Sequence, residues 1–292
     1  MELRVLQYFL AVAREQSILK ASEALHLSQP TLSRQLRNLE IELGKQLFVR
    51  GNRKITLTEE GALLRKRAEE IVALVKKTES EITLSEESIA GDIYIGAGET
   101  DAIRLVTRTA AKLQAEHPLL HYHIFSGDSQ DVLERLDKGL LDFGIVFDPT
   151  DLSSYNHIGI PKKDRWGVLM RRDSPLANKD TICPEDLWDK PIILSRQQKE
   201  GSELSFWLKK DFSELNIVAT YNLLFNGSLM VDEGLGYALC LDGIINTSGN
   251  SNLCFKPLEP SLKLGMNLVW KKYPVFSKAA EKFLEQFKSE IY

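Results

Sequence analysis

Two sets of residues combine types and spacings that permit recognition chemistry. The first is Gln29, Pro30, Thr31, Ser33, Arg34, Arg37 and Asn38, interleaved with Leu32, Leu36, Leu39 and Leu43. Leucines spaced four, three and four apart form one apolar stripe on a helix, which leaves the polar residues on the opposite face. Arginine and glutamine can pair with guanine and adenine edges, while serine, threonine and helix N-terminal N–H groups can hold phosphates. The second set lies in loops after strand-like runs: Gly98-Glu99-Thr100-Asp101, Ser126-Gly127-Asp128-Ser129 and Ser195-Arg196-Gln197, with Phe225-Asn226-Gly227 further on. In open α/β sheets small molecules bind beyond the carboxyl ends of the strands, where such loops and helix N-termini converge.

Catalytic patterns are weak beside these. His121 and His123 alternate on a strand and can share a face, but no cysteine or third histidine has metal-ligand spacing. Gly96 and Gly98 follow a strand, yet Asp101 stands where a GxGxxG loop needs its last glycine. There is no GxSxG nucleophile elbow and no P-loop. Neither an enzyme nor a cofactor or metal is expected. Cys183, Cys240 and Cys254 form no CxxC pair and read as small, reduced core residues.

The net charge of −4, from 37 Lys/Arg and 41 Asp/Glu, speaks against a generic polyanion binder until it is divided along the chain. Residues 1–58 hold nine basic and five acidic residues, 59–90 five and eight, and the remainder 23 and 28. The small N-terminal part is therefore basic, as a nucleic-acid contact requires. At 292 residues the chain suggests about two domains. No run approaches the roughly 18 apolar residues of a membrane span, and the N-terminus lacks a signal-peptide core. A cytoplasmic protein is expected.

The elements needed to position the first set are readable. Leu3, Leu6, Phe9, Leu10 and Ala13 predict an amphipathic first helix. Ser17 can cap a second over Ile18–Leu25, and Ser28 a third with Pro30 in its first turn and Gly44 at its end. Residues 46–50 and 54–58 alternate like two strands joined by the turn Gly51-Asn52-Arg53. Helix, turn, helix and basic hairpin in this order predict a winged helix-turn-helix over residues 1–58.

The run from Ser17 through Glu40, then Glu42-Leu-Gly-Lys-Gln-Leu-Phe-Val-Arg50 and Leu57-Thr-Glu-Glu-Gly61, closely resembles the LysR-type transcriptional regulators. The resemblance implies a bacterial, ligand-responsive regulator of promoter DNA, assembled as a homodimer or as a tetramer of paired dimers. It implies base or groove contacts from Gln29, Pro30, Ser33 and Arg34, with Arg53 on the wing. Thr31, Arg37 and Arg50 are candidates for backbone contacts.

Thr58 can cap a helix with Glu59 and Glu60 in its first turn, over residues 59–90. Leu64, Ala68, Ile71, Val75, Thr78 and Ile82 form a heptad seam suited to a second chain, or to the chain's own body.

From residue 91 strands and helices alternate, predicting a parallel α/β lobe followed by a second lobe from about Pro161. The strands expected there include Leu262–Lys271 as one piece, with a helix at Ser228–Glu233. The resemblance implies a two-lobed effector domain like type 2 periplasmic binding proteins: lobe I over 91–160 and 268–292, lobe II over 161–267, with the last helix returning to lobe I. The complete fold expected is α+β and multidomain. In the family these loop regions line the effector pocket, which singles out Thr100, Ser126, Ser195 and Asn226. Glu99 departs from the hydroxyl residue that would suit an anionic effector. If it points into the cleft it favours an amine or a hydroxyl-rich molecule; otherwise it caps the following helix or pairs with Arg104. Two other readings stand beside the regulator: a small-molecule binding protein whose N-terminal helices only dimerise, and an enzyme on the two-lobed scaffold.

Overall fold

The computed structural model describes residues 1–51, 54–83 and 89–292, and the chain divides after Thr83 into two units. The first opens with α1 (Leu3–Glu15), α2 (Ile18–Ala24) and α3 (Gln29–Leu43). Ser17 accepts the backbone N–H of Lys20 and Ser28 that of Thr31, so each serine meets an otherwise unpaired donor of its helix. Leu6, Phe9, Val12, Ala21, Leu32, Leu36 and Leu39 close a core between the three helices. Leu43, expected on the same stripe, lies in the last turn of α3 and is 40% exposed.

Strands β1 (Phe48–Arg50) and β2 (Ile55–Leu57) pair antiparallel as the wing. Glu40 on α3 accepts the N–H groups of Leu47 at 2.8 Å and Phe48 at 3.3 Å, tying the hairpin to the helix. Thr58 then caps α4 (Glu59–Thr83), accepting the Gly61 N–H at 2.9 Å and donating to the Gln46 carbonyl at 2.8 Å. A Cβ at Gly61 would overlap the Leu47 carbonyl oxygen, so this junction requires glycine.

The expected α4 seam is divided. Ala68 is buried, with Leu64 and Val72 packed beside it into the head's own core, because this half of the helix lies along α1. Of the remaining seam residues Ile71, Thr78 and Ile82 are exposed and Val75 is half-buried, and Leu74, beside the seam, is exposed as well. Of the expected span to residue 90, 84–88 lie outside the described residues, and Ile89 and Ala90 are not helical.

The second unit contains two sheets. Lobe I comprises β3 (Gly91–Ala97), α5 (Ile103–Glu116), β4 (Leu120–Ser126), α6 (Ser129–Asp137), β5 (Phe143–Phe147) and β6 (Tyr155–Gly159). Lobe II comprises β7 (Asp164–Arg171), β8 (Ile192–Ser195), α7 (Glu203–Leu208), β9 (Ile217–Tyr221), α8 (Leu224–Asp232), β10 (Tyr237–Leu241), β11 (Leu253–Pro257) and β12 (Lys263–Leu264). The chain then returns to lobe I as β13 (Met266–Lys271) and α9 (Lys278–Ile291). The sheet orders are β4-β3-β5-β13-β6 and β11-β7-β10-β8-β9, with β12 on β7.

Three features differ from expectation. Strand β6, with alternation too short to register as a strand, pairs antiparallel with β13 at the edge of the lobe I sheet, and β13, antiparallel to β5 as well, is the strand that breaks a sheet expected to be parallel. The strand expected over 262–271 is two strands in two sheets, since β12 pairs β7 and β13 pairs β5 and β6. The return to lobe I thus begins at Met266 rather than 268. Gly265 is the residue between them, and a Cβ there would overlap the Asp148 carboxylate. Finally, α8 starts at Leu224 instead of Ser228, because a carboxylate from outside the helix caps it, as described below.

Candidate nucleic-acid interface and ligand cleft

With its leucines turned inward, α3 presents Gln29, Pro30, Arg34, Arg37 and Asn38 exposed and Thr31 and Ser33 half-exposed. Arg34 and Arg37 form no ion pair or hydrogen bond among the described residues. Their guanidinium forks are therefore available to an external acceptor. Thr31 is less free, since its hydroxyl lies 2.8 Å from that of Ser28 within the cap. Arg50 closes β1 and its backbone pairs with Ile55. Arg53 lies outside the described residues. The N-terminus of α3, with its first-turn N–H groups, completes a face that can bond base edges and phosphates together.

The second candidate site lies between the lobes. A small cavity of about 60 Å³ is lined by Glu99 and Phe147 from lobe I and by Trp166, Ser195, Gln197, Gln198, Tyr221, Asn222 and Leu224 from lobe II. Glu99 and Ser195 are thus brought together. A wider cavity of about 560 Å³ adjoins it along Phe147, Trp166 and Gln197, with Arg196 and Lys199 at its wall. Thr100 and Ser126 line an adjoining depression, which shares Glu99 with the small cavity and also includes Asp101, Arg104 and Gly243.

Two expected pocket residues are placed differently. Asn226 is exposed on α8 and lines none of these three cavities, because the helix begins before it and turns it outward. Thr100 is only 4% exposed, and its hydroxyl donates to the Asp164 carboxylate of lobe II and sits 3.0 Å from the Ala102 N–H. Glu99 neither caps α5 nor pairs with Arg104, which bonds Asp101 instead. Its Oε2 accepts the backbone N–H of Leu224 in the other lobe. Asp101 in turn pairs with Lys162 in the segment that crosses between lobes. Three successive residues of one loop are therefore all bonded to lobe II or to its connection.

These carboxylates titrate in opposite directions. Burial pushes Asp164 above the usual aspartate range, and the hydrogen bond from Thr100 only partly offsets it. Burial would also raise Asp101, but Lys162 and Arg104 outweigh it and hold the carboxyl below that range. Tyr221 is raised well above the ordinary phenol value by burial and by the nearby thiol and carboxylate of Cys240 and Glu99. Its hydroxyl donates to the Leu239 carbonyl at 2.8 Å.

Phe147, Trp166, Tyr221 and Asn222 were not singled out in the sequence. Phe147 and Tyr221 end their strands, where the strand-end rule could have found them. Trp166 sits inside β7, and nothing local distinguishes it from a core residue. His121 and His123 share strand β4; His123 lies 2.9 Å from Asp92 and stacks on Tyr94 with ring centroids 4.6 Å apart. Among the described residues no group of three potential metal ligands converges, and no helix is long and apolar enough to cross a membrane.

Comparison with known proteins covers nearly the entire chain. Residues 3–62 match the bacterial regulatory helix-turn-helix protein, lysR family, and residues 86–291 match the LysR substrate binding domain. The HTH-type transcriptional regulator BsdA of Bacillus subtilis (strain 168) is 36% identical over 74% of this chain and 74% of its own. The uncharacterized HTH-type transcriptional regulator YvbU of the same organism is 27% identical over 99% of this chain and 98% of its own. Full-length CbnR complexed with its target DNA shares the fold, with a TM-score of 0.74 over 99% of both chains at 17% identity. Basic reading head, linker helix and two-lobed sensor occur here in one chain in the order these matches require, and the protein belongs to the LysR family of DNA-binding transcriptional regulators.

Proposed function

We propose that two copies of this chain read a two-fold-related promoter site through α3, and that a small molecule seated between lobes I and II changes the angle between the heads. The observation that carries the proposal is the outward face of α3, where Arg34 and Arg37 have no partner among the described residues while the leucine stripe is buried behind them. Gln29, Pro30, Ser33 and Arg34 are assigned to base edges and the groove. Thr31, Arg37 and Arg50 are assigned to phosphates, and Arg53 to the wing's contact. Thr31 contributes mainly through the cap it shares with Ser28.

Pairing of chains is assigned to the part of α4 that its own head does not cover, Ile71, Leu74 and Ile82. One small head has limited affinity, and two at a fixed spacing select a two-fold operator. Ligand binding in the cleft shifts the population between lobe arrangements and so alters how paired heads bend DNA. CbnR has been seen with its target DNA, which supports the same use of the head here. The test is binding to a cognate promoter fragment by gel shift. Arg34→Ala is expected to weaken specific binding by about 1–3 kcal/mol, roughly five- to 150-fold, without lowering thermal stability. Unchanged affinity would remove Arg34 from the interface and undermine the assignment of α3.

A further inference from the structure

The interlobe cavity already contains the negative charge that an anionic ligand would bring. Helix α8 has Leu223 at its N-cap, which supplies no side-chain bond, and no acidic residue in its first turn. The missing acceptor comes from lobe I, as Glu99 Oε2 takes the Leu224 N–H. A carboxylate at a helix N-terminus is held by the unpaired N–H groups and by the positive end of the helix dipole. A ligand carboxylate approaching α8 would find that position filled and would face the Glu99 charge as well.

The other oxygen, Oε1, has no hydrogen-bond partner among the described residues. Among the described residues Glu99 is the only charged side chain lining the small cavity, and no lysine, arginine or histidine joins it. The rings of Phe147, Trp166 and Tyr221 line the rest, with amide groups from Gln197, Gln198 and Asn222. Aromatic faces attract cations, and an ammonium group donates to a carboxylate through a short, charge-assisted bond. We propose that this cleft takes a small ammonium ligand, bonded by the free oxygen of Glu99 while the other oxygen holds α8 closed against lobe I. The inference rests on the reading of the cleft as the effector site.

The test uses the complete chain at pH 7, followed by thermal unfolding and calorimetry. The probes are the aliphatic amines from ethylamine to pentylamine, the matched carboxylates from acetate to valerate, and erythritol as a neutral polyol. The amines are expected to bind and to raise the melting temperature, while the carboxylates and erythritol do not. Glu99→Gln keeps an oxygen for the Leu224 N–H but removes the charge, so it should retain the fold and bind amines at least about tenfold more weakly. Absence of any amine response, or equal amine affinity in E99Q, overturns the proposal. Asn222→Trp fills the same cavity from an exposed position and separates the two readings. A carboxylate or erythritol response that N222W abolishes removes the ammonium ligand and leaves the cleft as the effector site. Responses that all survive N222W remove the cleft itself.

Discussion

Asp164 and Asp101 face the same lobe junction yet respond to acid in opposite ways. Folding disfavours the ionised form of Asp164, so the native state holds its proton more tightly than the unfolded chain does. The destabilising contribution is absent below the ordinary value of 3.8 and sets in as pH rises through the raised one. Asp164→Asn can still accept from Thr100, and should raise the unfolding free energy at pH 7. Urea unfolding at pH 7 and pH 4 checks this: the gain should vanish at the lower pH, and destabilisation at pH 7 would refute it. Asp101 has the reverse sign. Its favourable contribution is present above 3.8 and is lost as pH falls through the lowered value. Asp101→Asn should therefore destabilise at pH 7 but not in strong acid, by less than about 1 kcal/mol, because Lys162 and Arg104 are exposed and screened by solvent.

Helix α4 makes two kinds of contact with two halves of one heptad pattern. Its first half is held by Gly61 against the Leu47 carbonyl and by Ala68 in the head core; its second half keeps Ile71, Leu74 and Ile82 exposed. Ile71→Glu combined with Ile82→Glu should convert the paired species to monomer in sedimentation velocity without changing the melting transition of the head. A pair that survives both substitutions would relocate the interface elsewhere. Gly61→Ala should do the opposite, lowering head stability by about 2 kcal/mol or more through overpacking at the wing junction. The division of α4 was not readable from periodicity, because a heptad seam looks alike whether its partner is the same chain or another. Sequence periodicity predicts a helix over Ile103–Glu116 and strands over Ile217–Tyr221 and Leu253–Pro257, and these are the bounds of α5, β9 and β11, since each has clean periodicity bounded by a turn. The start of α8 was missed for a physical reason: its cap is Glu99, far away in sequence, and no local signal at residues 223–224 announces it. For the same reason the cavity's polar ends were visible as strand-end loops, while the aromatic wall at Trp166 was not.

The distribution of charge decides how the chain meets DNA. A basic surplus of four in residues 1–58 stands against a deficit of eight in the remainder, so phosphate attraction comes from few side chains. Affinity should fall with salt at a slope set by those contacts alone, about 0.9 per neutralised phosphate. Arg37→Ala, assigned to a phosphate, should flatten the slope by about one per head and weaken specific and nonspecific sites alike. Fluorescence anisotropy across a salt series measures this, and an unchanged slope would place Arg37 away from the backbone. The acidic remainder has a structural counterpart. Lobe II lies on a continuous stretch of chain, whereas lobe I is assembled from both sides of it. Phe143 in lobe I packs against Phe283 with ring centroids 5.2 Å apart, and Phe283 stacks on Phe287 in α9. Both α9 phenylalanines are fully buried. During synthesis, lobe I must therefore wait for its final helix after its first strands have left the ribosome, for on the order of ten seconds at usual rates. The DNA-reading head can be folded by then, so each new chain passes through an interval in which its head is complete and its ligand cleft is not.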